Sequence, residues 1–211
     1  AGEIGDKSDA EPIRKILRIL ALLQPFYLED ESLIRAIGSV EDLEAVHVNR
    51  LIRLLTEAGV LFKRGGTYRL SPDLLADHVI EEVCIGNEGT STGYAEKVFE
   101  AAGANHLEHL LVNLGRLDWR RTSGDPSNSH LLDGIWTRIQ GTPESAQTYL
   151  PAVTAVAYYQ PKRSLDFVER QFLLAPDERW QWLAHAVFVA KHRLRDLPLA
   201  LRLARELREY T

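Results

Sequence analysis

Val60-Leu61-Phe62-Lys63-Arg64-Gly65-Gly66-Thr67-Tyr68-Arg69-Leu70 decides how this chain folds: two short β-prone runs flank a pair of glycines. Both glycines accept positive φ, so the stretch predicts a β-hairpin with a two-residue turn. Immediately upstream lies the clearest helix. Ser39 is a candidate cap, Glu41, Asp42 and Glu44 suit the positive end of the helix, and Gly59 ends it. Val48, Leu51, Ile52 and Leu55 form its apolar stripe, which leaves His47, Asn49, Arg50 and Arg53 facing out.

Further upstream, residues 30–37 read as a short helix closed by Gly38 as a left-handed cap. The first helix spans residues 11–23. Ile13, Ile16, Leu17 and Leu20 share one face, Pro12 suits the first turn and Pro25 marks the stop. Downstream of the hairpin, Ser71-Pro72-Asp73 opens a helix through residue 83, with serine as cap and proline at the first position. Three helices followed by a β-hairpin is the winged-helix order.

Residues 86–93, Gly-Asn-Glu-Gly-Thr-Ser-Thr-Gly, are turn-rich and predict a linker. Beyond them, apolar helical faces recur. Leu107, Leu110, Leu111 and Leu114 make one; Leu131, Leu132, Ile135 and Ile139 make the next. Trp180, Leu183, Ala184, Val187 and Phe188 make a third, and Leu199, Leu203 and Leu207 line the last. Pro143, Pro151, Pro161, Pro176 and Pro198 read as helix starts and stops, and residues 122–129 as a polar, mobile loop. The predicted organisation is a flexible start (1–10), a winged-helix domain (11–85), the linker (86–93) and a helical-repeat domain (94–211). The fold class is mainly α, a winged helix followed by antiparallel helical hairpins, either a degenerate α-superhelix or an irregular bundle.

Composition sets the outer bounds. Apolar residues make up 45 % of the 211 positions, enough for a real core. No apolar run approaches the roughly 18 residues of a membrane span, and no signal peptide is evident. Cys84 is the single cysteine, which excludes an internal disulfide and fits a reducing, cytoplasmic setting. Methionine is absent altogether, which with the polar start predicts a piece of a longer protein. The net charge of −5 has a locus: residues 1–85 hold ten basic and fifteen acidic side chains, so the hairpin-bearing part carries the whole excess.

No G-x-x-x-x-G-K-[ST] or G-x-G-x-x-G occurs, and the glycines of 86–93 have no lysine to meet a phosphate. His106 with His109, and His78 with Glu82, lack a third ligand and read as helix residues rather than a metal site. Cys84 reads as a buried apolar side chain. Asp73, Asp77, Glu81 and Glu82 read as a solvated acidic strip, and Trp119-Arg120-Arg121 as a helix end with an anchoring tryptophan. No catalytic residue, cofactor or metal is predicted.

DNA binding is the stronger alternative. Arg50 and Arg53 on the third helix, with Lys63, Arg64 and Arg69 on the hairpin, have the charge to meet phosphates. His47 and Asn49 have the donors and acceptors for base edges in the major groove. Glu41, Asp42 and Glu44 oppose this, because carboxylates at the helix N-terminus repel the phosphate backbone.

Leu54-Leu55-Thr56-Glu57-Ala58-Gly59-Val60-Leu61, followed by Tyr68-Arg69-Leu70-Ser71-Pro72-Asp73-Leu74-Leu75-Ala76-Asp77-His78, resembles the winged-helix domain of bacterial-type signal-transduction ATPases with numerous domains, the STAND class. In that class a P-loop ATPase core precedes the winged helix, and superhelical repeats that sense a partner follow it. Several members carry Met-His-Asp-Leu-Leu after the hairpin, whose histidine contacts nucleotide. Ser71-Pro72-Asp73-Leu74-Leu75 stands in that place, with proline where the histidine would be. The resemblance implies a non-catalytic regulatory fragment that meets an upstream ATPase domain or another protein partner, with Ser71, Pro72, Asp73 and Asp77 as docking or regulatory positions. Nucleic acid is the second choice of partner, and no membrane is implied.

Overall fold

The computed structural model describes residues 9–87, 89–126, 129–140 and 144–174, together with 184–186, 188, 198, 201, 202 and 205. Within them the chain is mainly helical, with one small antiparallel sheet. Among the described residues no helix is long and apolar enough to cross a membrane. Two compact units emerge from the packing, residues 1–117 and 118–211.

The first unit opens with α1 (Ala10–Leu23), α2 (Glu31–Glu41) and α3 (Ala45–Glu57). The hairpin β1 (Leu61–Arg64) and β2 (Thr67–Leu70) follows, then α4 (Asp73–Cys84), α5 (Tyr94–Ala102) and the start of α6 (Leu107–Arg121). The predicted stripe of α3 is buried: Val48, Leu51, Ile52 and Leu55 are each at most 4 % exposed. β1 and β2 pair in the register Leu61↔Leu70 through Arg64↔Thr67, which leaves Gly65 and Gly66 as the two turn residues. Their φ values of +61° and +102° are the left-handed conformations a side chain would oppose.

The sheet has a further partner that the sequence did not signal. Phe26, just past α1, exchanges backbone hydrogen bonds with Tyr68 (3.1 and 2.8 Å). The Gln24 side chain accepts from the Leu70 N–H at 2.9 Å. β2 is thereby held between β1 and the chain that leaves α1.

Three helix boundaries differ from the sequence reading. Gly38 is not a terminal cap: α2 runs on to Glu41, and its left-handed end is Asp42, with φ 55°. Gly38 is required there by close approach, because a Cβ on it would lie 2.8 Å from the Leu43 carbonyl oxygen. Ser39 therefore sits inside α2, and α3 starts later, at Ala45, with Glu44 as N-cap and no side-chain cap bond. At α4, Pro72 occupies the N-cap and Ser71 gives no cap, because its backbone N–H donates to the Val60 carbonyl as a continuation of the hairpin.

Asp9 and Ala10 also depart from the predicted flexible start. Ala10 begins α1, and the buried Asp9 carboxylate receives both terminal nitrogens of Arg50, at 3.1 and 2.5 Å.

The turn-rich residues 86–93 lie within the first unit, and α5 and the first part of α6 complete it. α5 packs along α2. Its Lys97 donates to the Val40 carbonyl, while Lys15 of α1 donates to that of Glu41 at 3.2 Å. Two ammonium groups thus meet the negative end of α2. Tyr94 hydrogen-bonds the buried Glu41 carboxylate, so burial and that bond push the phenol far above its ordinary value. From α6, Asn113 donates to the carbonyls of Leu22 (2.9 Å) and Gln24 (2.7 Å), which are left open where α1 ends.

The second unit contains α7 (Asp133–Ile139), α8 (Glu144–Val156) and α9 (Pro161–Leu174), with α7 packed on α8 and α8 on α9. Leu131, Leu132, Ile135 and Ile139 are buried as predicted. The Asp118 carboxylate, 2 % exposed, accepts from Ser129 Oγ at 2.5 Å and from Gln160 Nε2 at 2.7 Å. Pro161 opens α9, whereas Pro151 lies inside α8 rather than at an end. Of the remaining predicted positions, Pro143, Pro176, Trp180, Leu183, Val187, Leu199, Leu203 and Leu207 fall outside the described residues, while Ala184 and Phe188 of the third predicted face are exposed.

Candidate interaction surface

The hairpin presents two unlike faces. Residues directly opposite each other on paired strands share a face, and neighbours along a strand alternate. Lys63 and Tyr68 therefore lie together, with the ammonium 5.7 Å from the ring centroid. Phe62 and Arg64 share the other face with Arg69 and Thr67. Phe62 is 62 % exposed, and Arg64 and Arg69 are exposed beside it. None of Arg53, Lys63, Arg64 and Arg69 makes an ion pair with the described residues.

Helix α3 does not present its polar residues as one set. Asn49 and Arg53 are exposed, but Arg50 is engaged with Asp9, whose carboxyl is held below the usual range chiefly by that hydrogen bond. His47 is half-buried, with Nε2 enclosed and without a hydrogen-bond partner among the described residues. The acidic cluster expected at the start of α3 is also dispersed. Glu41 is buried against Tyr94, Asp42 closes α2, and only Glu44 stands at the N-cap. Ser71, Pro72 and Asp73 are exposed at the start of α4, and Leu74 beside them is 75 % exposed. Asp77, one turn on, bonds Arg116 of α6 at 3.1 Å.

Comparison with protein-family models, curated proteins and solved structures found no match to this chain.

One polar cluster resembles a nucleophile array and is better explained as a cap. Ser32 Oγ lies 2.8 Å from His106 Nε2, and the Asp30 carboxylate lies 3.5 Å from that same nitrogen. In a catalytic serine array the carboxylate binds the opposite imidazole nitrogen and leaves the hydroxyl to the histidine. Here Asp30 itself accepts the Ser32 hydroxyl at 2.6 Å, and the N–H groups of Ser32 and Leu33 besides. Asp30 is the N-cap of α2, and His106 fastens that cap to the start of α6. Burial pushes the Asp30 carboxyl up, but the hydrogen bonds from Ser32 and Leu33 and the nearby His106 together bring it below 3.8. Sequence spacing could not reveal this contact, which joins positions 74 residues apart.

The buried His106 and the half-buried His109 predict a pH response. Burial depresses both His106 and His109 below the ordinary 6.5, against an opposing pull from Asp30 on the first and Glu108 on the second. The unfolded chain then takes up protons before the folded one as pH falls below 6.5, so stability is lost in that direction. Urea midpoints should fall between about pH 7.5 and pH 5.5, and the His106→Gln/His109→Gln chain should show a flatter slope. An unchanged slope would remove these two groups as the cause.

Cys84 is fully buried on α4, and burial pushes its thiol up to about 12, with the Glu96 carboxylate adding to the effect. A thiolate is therefore scarce at neutral pH. Ellman's reagent should modify the native protein roughly 100-fold more slowly than the urea-unfolded chain. Rapid native labelling would contradict this placement. Among the described residues no group of three His, Cys, Asp or Glu side chains could hold a metal ion.

Proposed function

We propose that this chain is a non-catalytic regulatory and protein-interaction region, a winged helix followed by helical hairpins, that serves a larger STAND-type ATPase. The observation that carries this reading is the exposure of four consecutive residues, Ser71 to Leu74, in the run resembling that class. Ser71, Pro72 and Asp73 are all at the surface, and Leu74 is 75 % exposed. Leu74 is a single apolar side chain, so its part in the reading comes from its place in the resembling segment and from the Leu74→Asp test below.

The hairpin register and the Phe26–Tyr68 bridge support the winged-helix part of the reading. A partner bound to the helical half would change how the winged helix sits on the ATPase core and so bias an on/off equilibrium. Two measurements test this. The reading frame upstream of Ala1 should encode G-x-x-x-x-G-K-[ST]. ATP hydrolysis by the full-length protein should change when residues 1–211 are deleted or when Leu74 is replaced by Asp. Identical hydrolysis in every case would sink the regulatory role.

A second reading, a winged-helix transcriptional regulator, has one observation in its favour: Arg53, Lys63, Arg64 and Arg69 are exposed and make no ion pair among the described residues. The engagement of Arg50 by Asp9 reduces the phosphate contacts available to it. Duplex titration at about 50 and 200 mM salt separates the readings, since phosphate contacts give a steep salt slope that Lys63→Ala/Arg64→Ala would flatten.

A further inference from the structure

The first unit carries two exposed surfaces of opposite character. One is the hairpin face bearing Phe62, with Arg64 on the same strand and Arg69 directly across. The other is a cleft of about 380 Å³ between the N-terminal halves of α2 and α3. Leu28, Ile34 and Ala45 give it an apolar lining, and Glu29 and Glu31 are exposed on its wall. The exposed Glu44 immediately precedes Ala45, so the carboxylates outnumber the single cation there, Arg35. The volume lies near the lower end of the roughly 300–1,000 Å³ range of ligand pockets, with room for one aromatic ring.

We propose that the hairpin of one copy docks in the α2–α3 cleft of a second copy, Phe62 entering the cleft while Arg64 and Arg69 face Glu29 and Glu31. The occupant is another copy because its chemistry is already on the chain: an aromatic anchor flanked by two arginines matches an apolar cleft walled by two glutamates. Phe62, at 62 % exposed, is not seated in the cleft of its own chain. The contact joins unlike patches, so it either forms twice in a reciprocal two-fold pair or runs head-to-tail into a ring or a short filament. A contact this small is weak, with a dissociation constant of about 10–100 μM. It does not depend on whether an ATPase core precedes the chain.

Sedimentation of the 211-residue chain tests the proposal. The wild type should associate over tens to hundreds of micromolar, and at least tenfold more weakly at high salt. Phe62→Ser should weaken association by a similar factor. The chains Arg64→Glu/Arg69→Glu and Glu29→Arg/Glu31→Arg change only exposed side chains, and circular dichroism should show both folded. Each should be monomeric alone, and an equimolar mixture should associate again, because each supplies the charge the other has reversed. A wild type that stays monomeric at about 1 mM and low salt overturns the proposal. So does association that survives both variants, or a mixture that stays monomeric. If the monomeric wild type instead binds duplex DNA through Arg64 and Arg69, the hairpin face serves nucleic acid and the docking is likewise refuted.

Discussion

A chain ending at Ile85, where the sequence places the end of its first domain, should not fold cooperatively, whereas one ending at Arg121 should retain the first unit. The reason lies in what α5 and α6 cover. α5 packs along α2 and buries its own Ala95, Val98 and Phe99 within the unit. Removing it strips that cover from α2 and leaves the buried Glu41 carboxylate without the Tyr94 hydroxyl. It also takes Lys97 from the carbonyl end of α2. The loss of α6 and of the turn before it takes away Asn113, His106 and the leucines Leu107, Leu110, Leu111 and Leu114, the last four fully buried. At about 1.5–3 kcal/mol for each large apolar side chain, these leucines together contribute about 6–12 kcal/mol, comparable to the typical 5–15 kcal/mol of net stability. The shorter chain should keep helical circular dichroism but lose its sharp thermal transition and bind a hydrophobic dye. A sharp transition in both chains, at similar temperatures, would show that the helices and hairpin before residue 86 fold without α5 and α6.

Replacing Asn113 by leucine should be the most damaging single substitution of a polar residue in the first unit. Asn113 is 5 % exposed and its amide nitrogen serves two carbonyls, those of Leu22 and Gln24. Leucine has nearly the same shape, so the change isolates the lost hydrogen bonds from packing. Two buried carbonyls left without donors cost about 1–3 kcal/mol each, so a loss of about 3 kcal/mol is expected. Asn113→Asp should be at least as harmful, because a carboxylate in that place faces two carbonyl oxygens. Urea denaturation read by near-ultraviolet circular dichroism provides the check. A loss below about 1 kcal/mol for leucine would mean that the carbonyls find other donors.

The contrast between the α3 stripe and the Gly38 region shows what the sequence could convey. Val48, Leu51, Ile52 and Leu55 repeat at helical spacing, and burial follows the period because one face alone meets the core. The glycine pair at 65–66 is equally local, since a two-residue turn tells the whole story of its φ angles. Gly38 carries the same residue type but a different reason, the approach of the Leu43 carbonyl, and no local pattern distinguishes a cap from a close contact. The same limit explains Glu41, which reads as a helix-start acid and is a buried partner of Tyr94, 53 positions away. The surface was legible at the charged hairpin residues Lys63, Arg64 and Arg69, all exposed, whereas the exposure of Phe62 beside them was not foreseen. It was not legible at Arg50, whose place on the outward face of α3 gave no hint that Asp9 would reach it.

The sealed position of Cys84 has a practical consequence for anyone who labels this protein. It is the only cysteine in the chain, and its sulfur lies out of reach of solvent. A single new cysteine at an exposed helix position, for example Glu57→Cys at the end of α3, would then be the one thiol that a maleimide dye finds in the native state. Fluorescence or spin-label reporters can be attached without removing the native cysteine, and hence without opening the cavity its loss would leave beneath α4.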